Sequence, residues 1–213
     1  MKMKKINKNI RDIVQAGYEA DDYVKAFRAD PVLHPMEREF LDLLIKGFPM
    51  GARILDLGSG TGLPYDKYLA GRGFHVTGVD FSLKHLALAR KNVPQAEYIQ
   101  ADFSKVGFSP ELFDAVTSFY AIFHLPRGEH SAIFAKMHGW LKPGGKILIT
   151  LGTSDMECDE EADWLGAPMM WSSYLPEEYL RILERTGFSV RKSGYEGAPG
   201  DEEYHFWLLA EKQ

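Results

Sequence analysis

Ile54-Leu55-Asp56-Leu57-Gly58-Ser59-Gly60-Thr61-Gly62 decides how this 213-residue chain is read. Apolar residues broken by one acid run into a turn that holds three glycines. A buried parallel strand reads this way where it passes the chain to a helix that starts against a nucleotide-like ligand. Glycine accepts positive φ and carries no Cβ, so a ligand can approach bare main chain. The glycines fall as G-x-G-x-G, not as the G-x-G-x-x-G of dinucleotide-binding turns. Asp56, at the strand end, would repel a pyrophosphate and attract an ammonium. The turn is therefore a cradle for a ligand with a cationic amino-acid end.

Working outward, Phe74-His75-Val76-Thr77-Gly78-Val79-Asp80 is a second strand that closes on an acid, where a ribose diol is bound in this architecture. Ala96 to Phe103 repeats the theme with Asp102. A fourth strand is expected at Phe113 to Ser118, a fifth at Lys146 to Leu151 after the Pro143-Gly144-Gly145 turn, a sixth near Phe188 to Lys192 and a seventh near Tyr204 to Ala210. Helices are expected between them: Met36 to Lys46, Leu63 to Ala70, one capped by Ser82 and running to about Lys91, one carrying Ile133, Phe134, Met137 and Trp140, and Pro176 to Arg185. Strands alternating with helices imply a parallel sheet in an α/β domain. An interrupted helical spacing over about residues 8 to 28 completes the amino-terminal part.

Composition narrows the function. The chain fits one domain with a sizeable core. Its formal net charge of −5 argues against a nucleic-acid partner, which needs a concentrated basic face. Lys2, Lys4, Lys5, Lys8 and Arg11 crowd the start, and read as a solvated end. The single cysteine, Cys158, excludes an internal disulfide. With no signal-like apolar run and no stretch long enough to span a bilayer, a cytoplasmic protein is expected. The histidines show no metal-like spacing with acids or cysteines, so no metal is expected.

The chain resembles the class I S-adenosylmethionine-dependent methyltransferases. The resemblance is carried by Leu55 to Gly62, Gly78-Val79-Asp80-Phe81-Ser82, Gln100-Ala101-Asp102-Phe103, Phe113-Asp114-Ala115-Val116 and Leu141 to Ile149, within a match over roughly residues 36 to 212. It implies a Rossmann-like three-layer α/β/α sandwich, a seven-stranded, mostly parallel sheet and an antiparallel last strand beside the fifth. It implies S-adenosyl-L-methionine as cofactor, with S-adenosyl-L-homocysteine as product. Asp56, Gly58, Gly60 and Gly62 would cradle the amino-acid end, and Asp80 would accept the ribose hydroxyls. Phe81, Asp102 and Phe103 would meet the adenine, and Tyr18 would close over the methionine moiety; Asp102 is alternatively the cap of a following turn.

The acceptor is expected where strand four ends, in Ser118-Phe119-Tyr120-Ala121-Ile122-Phe123-His124-Leu125-Pro126. Phe119 would face the cofactor, while His124 and Tyr120 are the candidates for catalysis. A histidine there is either a base or a hydrogen-bond partner for a loop carbonyl. There is no Asn-Pro-Pro-Tyr-like tetrapeptide for a nucleic-acid base, no acid to begin a catechol-type magnesium site, and no cysteine for cytosine C5 chemistry. Residues 1 to 47 are expected to form a helical cap. Gly152 to Leu175, acidic first and aromatic later, is either a lid-like loop over the acceptor or a short helix that patches the sheet edge with its aromatics. Tyr23, Met170, Trp171 and His205 are candidate acceptor contacts.

The function expected is methyl transfer to a small, partly apolar molecule by a monomer or homodimer. A nicotinamide-dependent oxidoreductase and a non-catalytic S-adenosylmethionine-binding protein are the alternatives.

Overall fold

The computed structural model describes residues 10–19, 32–201 and 204–213. Tyr23, Glu203 and the lysines at 2, 4, 5 and 8 lie outside them. Two helices come first, α1 at Ile10–Glu19 and α2 at Pro35–Ile45. The alternating part follows: β1 Arg53–Leu57, α3 Tyr65–Gly71, β2 His75–Asp80, α4 Leu83–Asn92, β3 Glu97–Gln100 and β4 Phe113–Ser118. After α5 at His130–Trp140 come β5 Leu141–Leu151, β6 Met156–Trp164, β7 Ala167–Ser173, α6 Pro176–Arg185, β8 Phe188–Glu196 and β9 His205–Lys212.

Seven strands form one sheet in the order β3-β2-β1-β4-β5-β9-β8. The first five pair in parallel, and β9 runs antiparallel between β5 and β8. The three-layer expectation therefore holds, including the antiparallel last strand. The order reverses between β1 and β4, which places a crevice at their carboxyl ends.

Strand parity sorts the core. Leu55 and Leu57, with Val116, Ile147 and Ile149, pack against α5 and α6. Ile54, Ala115, Leu148, Trp207 and Leu209 pack against α2 and α3 on the other face. Successive side chains of a strand point to opposite faces, so central strands covered twice are apolar nearly throughout. Asp56 has the parity of Ile54 and so turns toward α3. Ser82 caps α4, its hydroxyl accepting from the His85 amide at 3.2 Å.

Four sequence expectations change. The third strand stops at Gln100, so Asp102 stands in the turn beyond it. The fifth strand begins at Leu141 and absorbs the Pro-Gly-Gly turn as an irregularity in its pairing with β4. Gly152 to Leu175 is not an open loop: β6 and β7 pair as an antiparallel two-stranded sheet. The span expected as an amino-terminal cap also divides. α2 belongs to the layer that covers the main sheet, whereas α1 rests on β7 through Ile13, Val14, Met169 and Met170. At Gly17 a side-chain carbon would stand 2.5 Å from the Met169 methyl, so glycine lets α1 seat closely.

Candidate functional site

A cavity of about 200 Å³ opens at the carboxyl ends of the first four strands. Asp56, Gly58, Ser59 and Gly60 from the β1 turn line it, as do Asp80 and Phe81 after β2, Asp102 and Phe103 after β3, and Phe119, Tyr120, Ala121 and His124 after β4. Arg11, Val14 and Tyr18 reach it from α1.

The floor is a main-chain construction. Gly58, Gly60 and Gly62 all have positive φ, at 79°, 52° and 73°. The Gly58 and Ser59 amides both donate to the Val79 carbonyl, at 2.8 and 3.1 Å. Asp80 ties the turn down further: Oδ2 accepts from the Gly60 amide at 2.9 Å and Oδ1 from the Ser82 amide at 2.8 Å. A side-chain carbon at Gly58 would meet the Ala121 Cβ at 2.4 Å, whereas no atom of the described residues lies within 4 Å of the same point at Gly60. Gly62 departs from the cradle expected of it. It is absent from the lining, and a carbon there would strike the Tyr98 hydroxyl at 2.6 Å, so its bareness serves packing against β3.

Asp102 has several partners. Oδ1 accepts from the Ser104 amide and hydroxyl at 2.9 and 2.7 Å, and Oδ2 pairs with Arg11 Nε at 2.8 Å and Lys105 Nζ at 3.2 Å. Burial alone would raise its carboxyl, but the Ser104 donors, Lys105 and Arg11 outweigh it and hold the group below the usual carboxylate range. Asp102 lines the cavity and, as the alternative sequence reading has it, caps its turn. Arg11, taken from sequence as part of a solvated basic end, also bonds Ser104 Oγ at 3.0 Å and the Glu129 carboxylate.

His124 sits where three elements converge. Its Nδ1 lies 2.9 Å from the Met170 carbonyl, which can only accept, so Nδ1 carries the proton. Its Nε2 then accepts from the Tyr18 hydroxyl at 2.6 Å. Burial pulls this imidazole down to about 4, despite the Met170 carbonyl, with His205 adding to the fall. The group is neutral near pH 7. Tyr18 also meets Phe81, His85 and Trp164 edge-on, with ring centroids 5.8 to 6.2 Å apart.

Tyr120 has φ of 54°, an outlier for a bulky residue. Its amide bonds Thr150 Oγ1, and its hydroxyl donates to Glu196 Oε2 at 2.6 Å. Trp207 Nε1 donates to the same oxygen at 3.0 Å. Burial and the Glu196 charge push the phenol well above its ordinary value, so it keeps its proton. Phe119 stacks on Tyr65 at 3.8 Å, and Tyr65 in turn donates to the buried Glu37.

Of the expected acceptor contacts, Met170, Trp171 and His205 are absent from the lining. Met170 stands behind His124, and Trp171 is 6.1 Å from its ring. His205 packs on Tyr120 and Phe123 at 4.9 and 5.6 Å. Each is one layer back because the histidine and the two aromatic rings stand in front. Tyr23 lies outside the described residues. Among those residues no group of three or more His, Cys, Asp or Glu is placed to hold a metal. Sequence reasoning missed Arg11, Ser59, Tyr65 and His85; only Ser59 and Tyr65, flanking the glycine turn, carried any local signal.

A model of the methyltransferase domain matches residues 54–145. An uncharacterised methyltransferase of Synechocystis is 38% identical over 160 residues, covering 69% of this chain and 72% of that protein. A demethylmenaquinone methyltransferase of Renibacterium salmoninarum is 33% identical over 99 residues, covering 46% of this chain and 40% of its own length. The chain spans between 23% and 49% of several other curated relatives it matches. In fold it is similar to the magnesium protoporphyrin IX methyltransferase of Synechocystis, solved with bound S-adenosylmethionine, at a TM-score of 0.72, 16% identity and coverage of 99% and 100% of the two chains. The chain belongs to the class I S-adenosylmethionine-dependent methyltransferases. That membership displaces the nicotinamide reading.

The lining fits such a cofactor. Among the described residues the Ser59 hydroxyl is buried without a hydrogen-bond partner, and Gly60 leaves open space beside it, as a cradle waiting for a polar ligand would.

Proposed function

We propose that this protein methylates a small, partly apolar molecule whose reacting atom lies between Tyr18, Phe119, Tyr120 and His124. The single observation that carries the reading is the cavity itself: glycine main chain and two aspartates on one side, aromatic rings and a neutral imidazole on the other. When bound, the cofactor supplies a methyl group already activated on a sulfonium. The protein's task is therefore alignment and exclusion of water.

The residues divide that task. Asp56 attracts the ammonium end, and Asp80 keeps spare lone pairs for ribose hydroxyls while it fixes the turn. Phe81 and Phe103 flank the adenine, with Asp102 at its edge. Tyr18 and His124 close α1 over the cavity, and β6 with β7 backs His124 as the outer wall of the lid. His124 accepts from Tyr18 and is pulled down by burial, so it positions the cover and is a poor base; Tyr120 keeps its proton and orients a ring. Relatives named for demethylmenaquinone, ubiquinone biosynthesis and phosphoethanolamine support a small-molecule acceptor.

Titration calorimetry with S-adenosylhomocysteine tests the cofactor half. Wild-type protein should bind it, and Asp80→Asn should bind at least about tenfold more weakly, since a carboxylate accepting two main-chain amides contributes roughly 1.5–3 kcal/mol per bond. Absence of heat with folded wild-type protein overturns the reading. Incubation with labelled cofactor and fractionated small molecules tests the acceptor half, and label appearing only in protein or nucleic acid would refute it.

A further inference from the structure

Asp66, the second residue of α3, is fully buried, an expensive place for a carboxyl group. Strand parity turns Asp56 toward it, and Asp66 Oδ1 is buried with no hydrogen-bond donor among the described residues, the setting of an oxygen that carries a proton. From β3 the Tyr98 hydroxyl donates to Asp66 Oδ2 at 3.0 Å, and from β4 the Thr117 hydroxyl donates to Asp56 Oδ1 at 2.7 Å. From α4, Arg90 faces the pair only by way of Tyr98, whose carbonyl it binds at 3.0 Å. Two carboxylates in contact inside a protein cannot both ionise, so they hold one proton between them. Asp56 borders the cavity and has the Thr117 donor, which makes it the ionised member. Burial first, then the Asp56 charge, raises Asp66 well above the carboxylate range against the smaller pull of Tyr98.

We propose that Asp66 is a positioning residue of the cofactor site: it keeps the pair's proton, donates it to Asp56, and so fixes the Asp56 carboxylate toward the ammonium end. The proposal rests on the cavity being the cofactor site. It has a linkage consequence. An ammonium beside the pair favours its ionised form, so the bound state gives up the Asp66 proton to solvent more readily. Affinity for an ammonium-bearing ligand then rises with pH through the pair's titration. Adenosine lacks the amino-acid end and should show no such rise, which separates the pair from Asp80, His85 and His124 around the same cavity.

The experiment is calorimetry of the full chain with S-adenosylhomocysteine and with adenosine, over roughly pH 5.5 to 8. Wild-type affinity for S-adenosylhomocysteine should increase with pH while adenosine stays flat. Asp66→Asn, whose amide can still donate to Asp56, should keep the affinity within about threefold at the acid end and lose the slope. Asp66→Ala should weaken S-adenosylhomocysteine about tenfold or more and adenosine less than about twofold. Equal weakening of both ligands, no weakening of either, or a slope that persists in Asp66→Asn overturns the proposal. Should Asp66→Ala fail to fold, the wild-type and Asn slopes decide. Wild-type protein that binds neither ligand refutes the cofactor reading instead.

Discussion

The floor of the cavity is tied together by main-chain hydrogen bonds between neighbouring strands, whereas its cover is tied by side chains distant in sequence. On the floor, two amides of the β1 turn meet the Val79 carbonyl, and Asp80 takes the Gly60 amide of that turn and the Ser82 amide of its own. On the cover, Tyr18 reaches His124, His124 reaches the Met170 carbonyl, and Arg11 reaches Asp102. Ile13, Val14, Met169 and Met170 add apolar burial of about 1.5–3 kcal/mol each before the entropy of ordering α1 is charged against them. The floor has few conformations open to it, while the cover depends on a handful of side-chain contacts. A ligand that must enter and depart needs that asymmetry.

The sharpest way to break the comparison is at Gly58. Gly58→Val forces a β-branched residue to positive φ and drives a methyl into Ala121. We expect S-adenosylhomocysteine affinity to fall about a hundredfold or more, with thermal stability lowered as well. A near-normal dissociation constant would show that the turn is not rigid.

Acid tests the cover next. His124 and His130 are both pulled to about 4, chiefly by burial, from an ordinary value of 6.5. Between those values the unfolded chain binds protons that the folded chain does not. Stability therefore falls as pH drops from about 6.5 toward about 4, by a few kcal/mol per group at most. Urea midpoints across that window should show the loss, and His124→Asn should remove about half of it. A flat profile in wild-type protein would mean that neither ring is held neutral. Tyr18→Phe cuts the cover's polar tie while sparing its ring contacts. It should cost roughly 0.5–1.5 kcal/mol, read as a threefold to tenfold loss in turnover or cofactor affinity.

The same asymmetry governs what the sequence could reveal. The floor was readable because each part is local: glycines that need positive φ, an acid closing a strand, a serine beginning a helix. Asp56, Gly58, Gly60, Asp80, Phe81, Asp102, Phe103 and Phe119 all stand on the lining; residue type and neighbours marked the acids and glycines, and the family resemblance supplied the aromatic rings. Gly62 misled because its bareness answers to Tyr98, a residue of another strand. The cover depends on pairs such as Arg11 with Asp102 and Tyr18 with His124, whose separations carry no periodic signal. Gly152 to Leu175 looked irregular because its β6 half is rich in acids and exposed almost throughout, without the alternation that marks a half-buried strand. Trp171 and His205 were placed by residue type, and side-chain depth is not written in type.

Arg11 gives the smallest effect and the finest discrimination. Its guanidinium is about a quarter exposed, so its pairs with Asp102 and Glu129 are partly screened and contribute at most about 1 kcal/mol. Arg11→Ala should change S-adenosylhomocysteine affinity by less than about threefold, and high salt should change the wild-type protein in the same direction and by no more. The sign is informative. Asp102 lines the cavity and is the adenine contact in the proposed reading, so if Arg11 competes with the ligand for that carboxylate, its removal tightens binding. If Arg11 instead holds α1 closed over bound ligand, removal weakens binding and speeds dissociation. Its simultaneous bond to Ser104, on the turn that Asp102 caps, braces that turn without consuming the carboxylate's remaining lone pairs. Weaker binding with faster dissociation is therefore the expected result, and tighter binding would make Arg11 a plug in the site instead of a clasp on its cover.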